Sequence, residues 1–162
     1  MILVTVGLQL GFDRLIEAMD DIAPHLPAKV VAQIGAGSLV PRNMEFHRRL
    51  EPGRFMELVE RARVVVGHAG VGTVLTAEKY RKPLIVFPRS SDLGEHRNDH
   101  QRATANALAG RPGISVAEDR EQLEAALRSG LKSELSLPQG SGQGISLMAA
   151  VALFVETGEL AF

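Results

Sequence analysis

Two stretches of this chain carry residues of types and spacing suited to chemistry. The first, Val64-Val65-Val66-Gly67-His68-Ala69-Gly70-Val71-Gly72-Thr73, reads as a buried strand that runs through two glycines into a helix. Such a turn presents bare backbone N–H groups to a phosphate, and the helix dipole adds attraction. Gly70 and Gly72 are expected to remove side chains where a diphosphate approaches, with Val71 between them, while Thr73 offers a hydroxyl at the first helical turn. The second stretch, Arg89 to Gln101, follows one strand later and is dense in polar side chains. A nucleotide-linked substrate is the hypothesis these two stretches raise together. The plain alternative is a tight turn that needs glycine only for packing.

The glycines fit neither the six-residue dinucleotide fingerprint nor a loop ending in Lys-Ser/Thr, so an NAD site and a P-loop are unsupported. His68 stands where a parallel sheet places its ligands, either as a hydrogen-bond donor to phosphate or sugar or as a histidine packed beside the turn. His96 and His100 have the i, i+4 spacing of two zinc ligands but lack the glutamate of the zincin pattern, and no metal is expected. No serine lies in a nucleophile elbow. The loop Gly7-Leu8-Gln9-Leu10-Gly11 follows the first strand and is expected to face the same crevice, with Gln9 as an amide donor or a solvated loop residue.

The elements that must position these residues alternate in type. Apolar runs of strand length at Ile2 to Val6, Lys29 to Ile34, Glu45 to Leu50, Arg63 to Val66, Leu84 to Phe87 and Ile114 to Val116 are separated by segments of helical period. Phe12-Leu15-Ile16-Met19-Ile22 and Phe55-Met56-Leu58-Val59-Ala62 each give a helix one core-facing stripe. This pattern predicts an α/β fold: a single Rossmann-like domain with a parallel sheet of about six strands. Glu118-Asp119 opens a further short helix through Leu123, Ala126 and Leu127.

The expected organisation is a domain over residues 1–130, a Ser/Gly-rich linker over 131–144 and an apolar helix over 145–162. That last helix either covers its own sheet or docks on another chain, and a homodimer through it fits the pattern.

Composition narrows the function class. The chain has 162 residues, is 45% hydrophobic and carries a net charge of −1, so a real core is expected and nucleic-acid binding has no electrostatic support. The absence of cysteine removes disulfide scaffolds and thiolate metal sites and suits a reducing compartment, with the cytoplasm as the default. The N-terminus reads as a strand rather than a signal peptide, and no apolar run reaches the roughly 20 residues a membrane helix needs.

Several motifs in order resemble the carboxyl-terminal, donor-binding half of GT-B glycosyltransferases of the family 28 type. They are Val4-Thr5-Val6-Gly7, Gln9, Phe12-Asp13-Arg14-Leu15, Gln33-Ile34-Gly35, His68 to Thr73, Lys82 to Val86, Pro88-Arg89, Gly94-Glu95-His96 and Asp99-His100-Gln101. The chain is most similar to small separate donor-binding subunits, such as the catalytic subunit of the N-glycan-pathway UDP-N-acetylglucosamine transferase and the small subunits of bacterial exopolysaccharide glucuronosyltransferases. The resemblance covers Met1 to about Leu127.

It implies a UDP-sugar-binding domain that works with a membrane-anchored, acceptor-binding partner at the inner face of the plasma membrane. The reaction it implies moves a sugar from UDP to a polyprenyl-diphosphate-linked acceptor, without a cofactor. Carried over by position, the backbone at Gly70, Val71, Gly72 and Thr73 holds the diphosphate beside His68. Glu95, Asp99, His100 and Gln101 read the sugar, the backbone near Leu50 and Glu51 holds uracil, and Gly7 and Gln9 lie near the phosphates and the acceptor. The general base is His68, His96 or His100, or belongs to the partner.

Two positions depart from the family pattern. Leu8 replaces a hydroxyl residue, and Thr76 stands where many relatives place an acidic residue for ribose. Glu78 lies about 200° around the helix from that position, which favours Thr76 for the ribose. Arg89, Arg97 and Arg102 suit a carboxylate sugar, or else a solvated helix face, giving glucuronate first and N-acetylglucosamine next. The altered Leu8 and Thr76 also leave open a non-catalytic module that binds nucleotide sugar or regulates.

Overall fold

The computed structural model describes residues 1–96 and 100–132. Six strands form one sheet: β1 (Ile2–Thr5), β2 (Val30–Gln33), β3 (Glu45–His47), β4 (Val64–Gly67), β5 (Leu84–Val86) and β6 (Ile114–Val116). Their order is β3-β2-β1-β4-β5-β6, and every pairing is parallel. Five helices connect and cover them: α1 (Asp13–Ile22), α2 (Pro52–Arg61), α3 (Val71–Lys79), α4 (His100–Leu108) and α5 (Arg120–Lys132). The sheet predicted from the alternating pattern is present with all six strands in place.

The central strands are apolar on both sides because both faces are covered. Side chains alternate across the sheet, so Ile2, Val4, Val64 and Val66 pack with Leu15, Ile16 and Met19 of α1 and Leu123 and Leu127 of α5. Leu3 and Val65 turn to the other face, against Leu58 and Val59 of α2, Val74 of α3 and Leu108 of α4.

Strand order reverses at β1 and β4, because the chain builds outward in one direction from β1 and in the other from β4. Above their carboxyl ends the β1–α1 and β4–α3 loops part and leave a crevice, the usual ligand position of this topology.

Three local expectations change. The third strand ends at His47 rather than Leu50, since it is a sheet edge paired only along Val31 to Gln33, and the Leu50 amide donates instead to Gln33 Oε1 at 3.1 Å. Phe55 and Met56 are not wholly core: Leu58, Val59 and Ala62 are buried, whereas these two, in the first turns of α2, also line the crevice. The helix α5 is longer than the one expected through Leu127, running to Lys132 with Leu131 buried. Asp119 starts it, its carboxylate accepting the Gln122 amide at 2.8 Å. The rest of the expected linker and the apolar tail lie outside the described residues, as does Arg97.

Candidate functional site

A cleft of about 650 Å³ opens at the reversal point. One wall is the β1–α1 loop from Gly7 to Leu10, and the other is the start of α3 with Gly70, Gly72, Thr73 and Thr76. Leu50, Pro52, Phe55 and Met56 close one end, while Arg89, His96 and Gln101 close the other.

The α3 wall is built from backbone. Gly70 is the N-cap, with no side-chain hydrogen bond, and its carbonyl accepts the Thr73 and Val74 amides at 3.0 and 3.2 Å. The Val71 and Gly72 amides, ahead of those two, have no intrahelical partner, and no acidic side chain in this turn opposes an anion. A Cβ at Gly72 would have no atom within 4 Å, so this glycine leaves space open to the cleft.

A Cβ at Gly70 would collide with Nε2 of His68, so the space its missing side chain leaves is taken by the imidazole. Gly7 does the same from the opposite side, where a Cβ would lie 2.9 Å from His68 Cε1. Gly7 also has φ of +78°, a conformation that favours glycine.

The imidazole is thus held between two glycine backbones. Burial lowers its pKa from 6.5 to about 4, the Arg89 charge contributes in the same direction, and the nearby Thr5 backbone acts weakly against them. His68 is neutral at pH 7, and its Nδ1 is buried with no hydrogen-bond partner among the described residues.

Gln33 was not foreseen as a site residue. It is buried beneath the cleft, with Nε2 3.4 Å from Thr5 Oγ1 and Oε1 accepting the Leu50 amide, so it fixes the Leu50 segment to the sheet. In the sequence it is marked by its place in the Gln33-Ile34-Gly35 motif at the end of the second strand.

The other anticipated residues divide. Gly7, Gln9, Leu50, Gly70, Gly72 and Thr73 line the cleft, joined by Thr76, His68, His96 and Gln101. The Thr76 hydroxyl donates to the Gly72 carbonyl at 2.7 Å, and Glu78 does not line the cleft. Burial raises the Glu78 pKa, with Arg111 opposing.

Four residues stand away from the lining. Glu51 is exposed as the N-cap of α2, Val71 packs against the core, and His100 is exposed at the start of α4. Glu95 is committed to Arg14, whose Nε and Nη2 donate to its carboxylate at 2.8 and 2.9 Å, and it also accepts the Ser90 amide. Asp99 lies outside the described residues.

The arginines also depart from expectation. Arg102 is exposed on α4, but Arg89, read as a sugar-carboxylate partner or a solvated residue, is only 2% exposed. Its guanidinium donates to backbone carbonyls of Val6, Leu10, Gly11 and Glu95 and lies 4.7 Å from the centre of the Phe12 ring. Composition alone gives no sign that one arginine among several is buried.

Comparison with known proteins agrees with this fold. The model of the glycosyltransferase family 28 C-terminal domain matches residues 1–149. A search of curated proteins finds no match.

Among solved structures, the chain is similar to the glycotransferase of kitacinnamycin, with 26% identity and a TM-score of 0.62 over 82% of this chain and 34% of that one. It is similar to ALG13, with 17% identity and a TM-score of 0.63 over 96% of this chain and 95% of that one. It is also similar to the glycosyltransferase VinC, solved with dTDP, with 22% identity and a TM-score of 0.50 over 96% and 40%. The last two likenesses concern the fold. This chain spans about a third of the kitacinnamycin enzyme and nearly all of ALG13. With the match over residues 1–149, the chain belongs to the glycosyltransferase family 28 C-terminal domain family.

Proposed function

We propose that this protein is the donor-binding catalytic subunit of a two-component glycosyltransferase, moving a sugar from UDP to a polyprenyl-diphosphate-linked acceptor in polysaccharide biosynthesis. The observation that carries the proposal is the first turn of α3, whose amides face the cleft across the open position at Gly72. The diphosphate sits on that turn, and the base lies toward Leu50, Phe55 and Met56. The dTDP complex of VinC, 40% of which this chain matches, supports a nucleotide as the ligand.

In the reaction, an acceptor hydroxyl oxygen bonds to the anomeric carbon as the bond from that carbon to the diphosphate oxygen breaks. UDP leaves with the electron pair, and the amides and helix terminus stabilise its charge. The hydroxyl proton passes to a base. His68 suits that role poorly, because a pKa of about 4 is far from the operating pH. His96 faces the cleft, whereas His100 does not, so the base is His96 or a residue of the partner.

The acceptor half comes from a membrane-anchored partner that holds this subunit at the inner face of the membrane. No helix among the described residues is long and apolar enough to cross a membrane. The near-complete overlap with ALG13 supports a donor half that is a polypeptide of its own. With Arg89 committed to backbone carbonyls, the lean toward glucuronate before N-acetylglucosamine rests on Arg102 and on Arg97, which lies outside the described residues.

A second reading, a module that binds nucleotide sugar without transfer, draws on the 57% exposed Leu8 on the cleft wall and on the Thr76 hydroxyl held by the helix. Calorimetry with UDP, UDP-glucuronate, UDP-N-acetylglucosamine, dTDP and NAD tests the site: UDP-selective binding is expected, and no nucleotide binding overturns it. Transfer to a lipid-linked acceptor when the partner is added distinguishes the enzyme from the module.

A further inference from the structure

The β1–α1 loop has no regular structure to hold it, yet it forms a whole wall of the cleft. Its only amide bond to a side chain among the described residues is from Gly7 to Thr5 Oγ1, at 3.3 Å. Its carbonyls turn the other way. Val6 and Leu10 accept from Nη2 of Arg89 at 2.9 and 3.0 Å, and Gly11 accepts from Nη1.

The same Nη1 reaches the Glu95 carbonyl, at 3.3 Å, in the turn after β5. That turn is closed on itself by the Glu95 carboxylate on the Ser90 amide and by the Glu95 amide on the Ser90 carbonyl. The Arg89 backbone amide donates to Oε1 of Gln101 in α4, so its own chain is fixed as well.

We propose that Arg89 is a positioning residue for the diphosphate seat: its buried guanidinium ties the Gly7–Gly11 loop to the Ser90–Glu95 turn and sets the width of the cleft between the first loop and α3. The inference rests on the nucleotide-diphosphate reading of the cleft and adds the element that holds its unsupported wall. A planar fork with five fixed donors serves four carbonyls on two segments at once; an ammonium group has three donors on one nitrogen and cannot span the same four. Arg89 is nearly inaccessible and supplies shape, not a direct contact to the sugar. The Phe12 ring beneath it and Arg14 stacked over Phe87 complete the packing that keeps the fork in plane.

The test compares UDP with uridine on the full chain, because a wall that faces the phosphates should affect only the first. Arg89→Lys and Arg89→Met should lose about 10-fold or more of the preference for UDP over uridine, with uridine affinity kept within about twofold and lysine no better than a partial rescue. An unchanged UDP-to-uridine ratio in folded Arg89→Lys overturns the proposal.

If the variants fail to fold, nitrogen NMR of the wild-type guanidinium decides. Separate, slowly exchanging Nη resonances that shift when UDP is added support the latch. Averaged, fast-exchanging resonances, or ones indifferent to bound UDP, overturn it. Should the wild type bind neither ligand, the reading of the cleft itself fails, while slow Nη exchange would still report the loop-to-turn tie.

Discussion

The loop after β4 and the loop after β1 stand side by side above adjacent strands, yet their backbones are held in place by different means. After β4 the chain enters a helix within four residues, and the helix holds its own first turn with N–H groups outward. After β1 the chain wanders from Val6 to Phe12, its carbonyls turned inward to Arg89 and its leucines outward. One wall is supported by local structure and the other by a residue about 80 positions away. One cleft can therefore combine a wall fixed by sequence-local hydrogen bonds with a facing wall bonded to a remote cation.

The largest expected effect comes from filling the self-supported wall. Gly72→Arg should weaken UDP binding about 100-fold or more, close to 3 kcal/mol, because the side chain occupies the phosphate seat. The Cβ itself meets nothing, so the urea midpoint should stay near that of the wild type. Wild-type UDP affinity in this variant would remove the diphosphate from α3.

Gly70→Ala perturbs the ground between the walls and should cost about 1–3 kcal/mol in urea denaturation, since its Cβ drives the His68 ring toward Gly7. Adding His68→Ala should recover most of that loss relative to His68→Ala alone. Additive losses would show that the glycine serves something other than the ring.

His68 also predicts a pH dependence. Its folded pKa, about 4, lies below the ordinary 6.5, so the unfolded chain binds the proton first. Stability is unaffected by this group above pH 6.5 and is lost as pH falls through the window from 6.5 to 4. Between pH 7.5 and 5.5 the loss should be about 1 kcal/mol, and His68→Gln should flatten it. An equal slope in that variant would assign the dependence to other groups.

The smallest effects distinguish the remaining polar residues. Gln9→Ala should weaken UDP only a few-fold, because an exposed amide on the loop competes with water. Glu78→Gln should leave UDP affinity unchanged, as its carboxyl lies off the cleft, and a 10-fold loss would restore it as a ribose partner.

Much of the fold was legible because it depends on local pattern. Val64 to Val66 followed by glycines gives β4 and the start of α3 without reference to the rest of the chain, and Ile2 to Thr5 gives β1 by the same logic. The shortfall at β3 arises because a strand's length at an edge is set by its one neighbour, and Leu50 found a better partner in the Gln33 side chain. Phe55 and Met56 matched a helical stripe, but such a stripe cannot show where the sheet ends and the cleft begins.

The sequence by itself determined the alternation of strands and helices, the glycine-rich exit of β4 and the helix that offers its amides there, since each rests on propensities and periodicities spanning a few residues. Tertiary structure alone decided that Gly70 makes room for His68, that Glu95 belongs to Arg14, and that Arg89 is buried on carbonyls of the distant first loop and of the turn that follows it. Those outcomes depend on which side chains meet once the sheet is assembled. An arginine, glutamate or glycine carries the same local signal whether it ends in the cleft or behind it.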